Sequence, residues 1–130
     1  MPVRFAAVAL LLAGLLGIGC GGISSPSKNQ QETFSGTLEV GGIVRRTVNV
    51  SNGGEFSVKI TALSPTATAV VGVAWAQGGN CEFTLQQNLA TLNTPALVGA
   101  IFQKGAYCVA IYDVGGLTVA QNFTLVVSHP

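Results

Sequence analysis

Hydrophobic and polar positions alternate in short runs over most of the chain, and glycine pairs punctuate the runs. In the stretch 55–63, EFSVKITAL, the residues Phe56, Val58 and Ile60 fall on one side and Ser57, Lys59 and Thr61 on the other. A period of two is the mark of a half-buried strand, because successive side chains leave opposite faces. Similar β-rich runs occupy 33–40 (TFSGTLEV), 43–50 (IVRRTVNV) and 121–128 (QNFTLVVS). In 69–77 (AVVGVAWAQ), Val71, Val73 and Trp75 share a side, with small residues opposite; in 81–87 (CEFTLQQ), Phe83 and Leu85 are in step. The stretch 96–102 (ALVGAIF) is continuously apolar, and 106–114 (AYCVAIYDV) sets Tyr107, Val109 and Ile111 together. Gly-Gly recurs at 41–42, 53–54, 78–79 and 115–116, supplying the positive φ that tight turns need. Eight such runs predict an all-β antiparallel sandwich or barrel of about eight strands. Leu85, Leu89 and Leu92 have helical spacing, but Asn88, Thr91 and Asn93 argue for a loop with at most a single turn.

The start of the chain breaks this pattern. Positions 5–16, FAAVALLLAGLL, are continuously apolar, with Arg4 before them and no charge until Lys28. That length suits the central region of a secretory signal better than a membrane span, and glycines 17, 19, 21 and 22 suit a spanning helix poorly. Gly17-Ile18-Gly19-Cys20 partly matches the lipobox of bacterial lipoproteins: Gly19 fits, while Leu16 stands one place early. The polar Gly/Ser/Pro stretch that follows is of the kind that tethers a domain to a surface. The expected organisation is a lipoprotein-type signal peptide at 1–19, a flexible tether at 20–31 and a sandwich domain at 32–130, with Cys20 lipidated. Ordinary cleavage nearby, with Cys20 discarded or free, is the alternative; an uncleaved membrane anchor is another.

Export changes the reading of the other two cysteines. Cys81 and Cys108 are expected to be oxidised to a disulfide, with two buried free thiols as the alternative. Beyond Cys20, Lys28, Arg45, Arg46, Lys59 and Lys104 balance Glu32, Glu39, Glu55, Glu82 and Asp113. So sparse and neutral a domain has no electrostatic footprint for nucleic acid.

Several stretches are similar to bacterial pre-peptidase C-terminal (PPC-like) domains and related exported β-sandwich proteins: FSGTLEVGG, VNVSNGGEFSVKITALSP, KGAYCVAIYDVGGLT and NFTLVVSHP. The resemblance covers roughly 32–130. It implies a jelly-roll-like sandwich and no reaction. The second strand, VRRTVNV, lacks the acids seen there in many such domains, so the resemblance carries no calcium site across.

Candidate chemistry is thin. His129, the lone histidine, stands next to Pro130 at an end expected to fray, a poor setting for a general base. The five acids are scattered, and no cluster has metal-ligand spacing. No catalytic, cofactor-binding or metal residue is therefore expected. Trp75 and Tyr107 read as core. Asp113 reads as an acceptor for backbone N–H groups in the turn it precedes. The sequons at Asn49 and Asn122 carry no weight. The expected function is a non-enzymatic, envelope-anchored binding or interaction module, held to the membrane by lipid on Cys20 (the outer membrane where two are present). Its expected ligand is carbohydrate or an envelope protein; the alternative is a structural or accessory subunit docking on another envelope or secreted protein.

Overall fold

A computed structural model describes residues 28–130. The expected signal segment and most of the tether, Cys20 included, lie outside the described residues. Eight strands follow one another: β1 (Gln30–Leu38), β2 (Ile43–Val50), β3 (Gly54–Ser64), β4 (Val71–Gln77), β5 (Phe83–Ala90), β6 (Pro95–Ile101), β7 (Gly105–Tyr112) and β8 (Gln121–His129). They form two four-stranded sheets with orders β1-β8-β3-β6 and β2-β7-β4-β5. Within the sheets β1 pairs with β8, β2 with β7, β3 with β6 and β4 with β5, as in one long folded ribbon. The pairings of β3 with β8 and β4 with β7 roll that ribbon into a jelly-roll sandwich. Every pairing is antiparallel, as the short glycine-marked connections require.

The period of two sets the core. Phe56, Val58 and Ile60 of β3, Phe123, Leu125 and Val127 of β8, Val71, Val73 and Trp75 of β4, and Tyr107, Val109 and Ile111 of β7 are all buried between the sheets. Full burial of such a side chain stabilises by about 1.5–3 kcal/mol each, before the entropy of ordering the chain is counted. Trp75 lies between Phe56 of the facing sheet and Tyr107, with ring centroids 4.6 and 5.2 Å away and both pairs stacked. Gly99 leaves room for this arrangement: a Cβ there would come within 2.8 Å of the Phe56 ring.

The antiparallel topology brings the β2–β3, β4–β5 and β6–β7 turns to one end, with the start of β1 and the close of β8. The other four connections share the opposite end, where the buried Gln121 is fully engaged: its Oε1 accepts from the Thr66 N–H at 2.9 Å and its amide donates to Val119 O at 3.3 Å.

Three local expectations differ from the structure. Strand β1 begins at Gln30, so Gln30 and Gln31 are paired with His129 and Ser128 and are not tether. Strand β5 runs on to Ala90 and takes in Asn88, where a loop was expected. His129 is no fraying end: it is the last residue of β8, 1% exposed, with Nε2 2.8 Å from Oε1 of Glu32. The register of β8 beside β1 and β3 holds it in place.

Candidate functional site

The chemistry-bearing side chains are spread out and turned to structural use. Asp113 follows β7, and one carboxylate oxygen accepts from the N–H of Gly41 at 2.8 Å while the other accepts from Gly115, Gly116 and Leu117 at 2.8, 3.0 and 3.2 Å. These donors, Gly41 foremost, hold its carboxyl below the usual aspartate range against a weaker opposing desolvation. The expected turn role is what the geometry displays, and it ties the β1–β2 and β7–β8 turns together. At the opposite end both neighbours of the His129 ring are acceptors, Glu32 Oε1 and Pro130 O. A ring so enclosed joins β1 to β8 and is not placed to reach a substrate. Among the described residues no group of three or more His, Cys, Asp or Glu is arranged to hold a metal ion.

Cys81 and Cys108 are joined, with their Cα atoms 5.0 Å apart. Cys108 leaves β7 on the face opposite Tyr107, away from the core, and is nevertheless fully buried. The β4–β5 turn covers it: Cys81, at φ 58°, sits in that turn, which folds back over the outer face of β7. Gly78 enters the turn at φ 86°, where an L side chain is strained. The disulfide thus fixes the tip of the β4–β5 hairpin, and with it the start of β5. On the same outer face the Tyr112 ring lies against Gly72, leaving no space for a Cβ.

β5 is where the molecule departs from ordinary sandwich patterning. Its amide residues Gln86 and Asn88 lie opposite Trp75 and Val73, whose side chains are core, so the amides point between the sheets. There Gln86 Nε2 donates to Val98 O at 3.3 Å and Asn88 Nδ2 to Ala96 O at 3.2 Å, capping two carbonyls on the rim of β6. The large apolar residues of β5 are left outside: Phe83 is 71% exposed, Leu85 53% and Leu89 59%. Val98 of β6 and Phe102 just beyond it are 61% and 86% exposed. The ladder between β4 and β5 is irregular at Trp75/Ala76, and past that point β5 and β6 frame a groove of about 600 Å³. Leu85, Val98 and Phe102 form its apolar sides, with Gln77, Gln86 and Gln103 supplying amides; no charged side chain lines it. Sequence reasoning missed this edge. Its one signal was the placement of Gln86 and Asn88 in step with each other, between leucines that also fit a helix.

No family model and no curated protein matches the chain. Among solved structures it is similar to PliG of Aeromonas hydrophila, a periplasmic inhibitor of g-type lysozyme. That protein is 16% identical, with a TM-score of 0.56 over 82% of this chain and 92% of the other. At that identity the likeness is one of fold.

Proposed function

We propose that this chain is an exported, non-enzymatic module that binds another protein through its β5–β6 edge. The observation that carries the reading is the edge itself: Leu85, Val98 and Phe102, between 53% and 86% exposed, line a groove without charge, and Phe83 and Leu89 of β5 are exposed beside them. Contiguous exposed apolar surface of this kind marks interaction sites. A protein fits it better than a carbohydrate, because the rings at its floor, Phe56, Trp75 and Tyr107, are stacked on one another and at most 6% exposed. No face of theirs is left for a sugar ring.

The fold shared with a periplasmic lysozyme inhibitor supports the same class and makes a g-type lysozyme the first partner to assay. The resemblance to PPC-like domains supports a place beside other exported proteins and no chemistry of its own. Lipidation of Cys20 would hold the module at the bacterial envelope, on the outer membrane where two are present. Labelling by a palmitate analogue, lost in Cys20→Ser, tests the anchor. For the binding role, the mature protein is titrated into a g-type lysozyme digesting a peptidoglycan suspension. Inhibition that saturates near one equivalent is expected; undiminished lysis with no detectable complex would remove the lysozyme as partner.

A further inference from the structure

We infer that the free rim of β6 takes up an extended segment of the partner protein, apolar at its centre, as an added strand paired with the backbone of Ala100. The inference rests on the protein-binding reading above and adds how the partner is held. β6 is the outermost strand of its sheet, with β3 on its inner side. In the β3–β6 ladder Ala100 stands opposite Glu55. The carbonyl of Glu55 accepts from Asn29 Nδ2 at 2.8 Å, and Asn29 precedes β1, on the far side of β3 from β6. The pair is therefore one in which each residue turns its own N–H and C=O away from the other. The backbone groups of Ala100 face the free rim. Val98 agrees, two residues back: its carbonyl also faces outward and is capped by Gln86. No backbone or side-chain group among the described residues caps Ala100.

An exposed donor and acceptor at strand spacing, beside an apolar groove, match the backbone of another strand. Side chains and charge narrow the occupant further. A strand added here sends alternate side chains toward Leu85 and Phe102 in the groove, where no charged residue waits. Its other side chains pass along the outer face, where Glu55 is cross-strand from Ala100. Lys104 stands just past β6. Among the described residues the ion pair present joins His129 to Glu32, so Glu55 and Lys104 are both unpaired. The matching segment has an apolar, β-branched or aromatic centre, a basic side chain where it passes Glu55 and an acidic one toward Lys104.

The test uses random dodecapeptides displayed on phage, selected on the mature protein and then synthesised. Enriched peptides should carry that pattern, and their binding should slow amide exchange at Val98 and Ala100. Ala100→Pro removes a rim donor and no ladder bond, so the fold should be retained while affinity falls by about tenfold or more. Should that variant fail to fold, Phe102→Ala serves in its place, since a side chain so exposed contributes little to the core; a loss of about fivefold is expected. Selection that enriches nothing, or peptides whose protection maps elsewhere and whose affinity ignores these substitutions, would overturn the added strand. So would a wild-type dimer in sedimentation that Ala100→Pro converts to monomer, because the rim would then be filled by a second copy. Lysozyme inhibition left intact by Ala100→Pro would reject the added strand and leave the protein-binding reading standing.

Discussion

The two long edges of the sandwich solve the same problem in opposite ways. Where β1 and β2 run along the margin, Phe34 and Val44 pack inward against the core. Arg46 reaches over the same gap, its guanidinium 3.4 Å from where a Cβ of Gly36 would be, and Glu32 turns to His129. At the other margin β5 turns amides inward and leaves Phe83, Leu85 and Leu89 in solvent. The first edge is covered; the second is closed only in part, by two side-chain amides that cap β6. Exposed edges invite pairing with other chains and are ordinarily blunted. An edge that combines outward apolar residues with the uncapped backbone of Ala100 is not blunted in that way.

The contrast can be broken most severely from beneath. Trp75→Ala removes the middle of the stack that links Phe56 to Tyr107 and floors the open edge; a loss of about 3–5 kcal/mol is expected in denaturant unfolding. Next is the clamp on β5. Cys81→Ala or Cys108→Ala should cost about 3–4 kcal/mol by the chain-entropy relation, with the double variant no worse than either single. Additive losses would mean that the two thiols act separately.

The covered edge has a smaller lever. Glu32→Ala leaves Nε2 of a buried histidine without its partner, and about 1–3 kcal/mol should be lost on thermal or chemical unfolding. Asp113 sharpens the picture through pH. Its folded-state carboxyl is held below the usual range by backbone donors, so its contribution is present above the ordinary aspartate range and is lost as pH falls through the lowered folded value. Asp113→Asn should flatten that part of the acid limb of a stability profile, and an unchanged limb would contradict the turn role. The smallest effect on stability belongs to the open edge. Leu85→Ser and Phe102→Ser should shift stability by no more than about 0.5 kcal/mol, whereas burial of either residue would show as a much larger loss.

Most strands were legible because period-two alternation places one face of each against a single core, as in β3. Asp113 was legible because a short carboxylate before two glycines has few other things to bond. β5 was legible as a strand over 81–87, but its run to Ala90 and its facing were not, for a physical reason. Its inward Gln86 and Asn88 are amides that bond to β6 carbonyls and its large apolar side chains are exposed, which reverses the usual pattern and lets Leu85, Leu89 and Leu92 mimic a helix. His129 was misread because closeness to the end of the sequence suggested fraying, whereas the β8 register and Glu32 fix it. Spacing did not reveal the sheet order either: the β3–β8 and β4–β7 pairings that roll the ribbon join strands far apart in sequence.

The central claim is that the β5–β6 edge, and not the rest of the surface, meets the partner. Calorimetric titration of a g-type lysozyme with three forms of the mature protein tests it most directly: wild type, Leu85→Ser/Phe102→Ser, and Val114→Ser/Val119→Ser, whose valines are 44% and 46% exposed at the far end. Saturable binding of equal strength is expected for wild type and the far-end variant, with affinity at least about tenfold weaker for the edge variant. Equal binding by all three, or loss confined to the far-end variant, would contradict it.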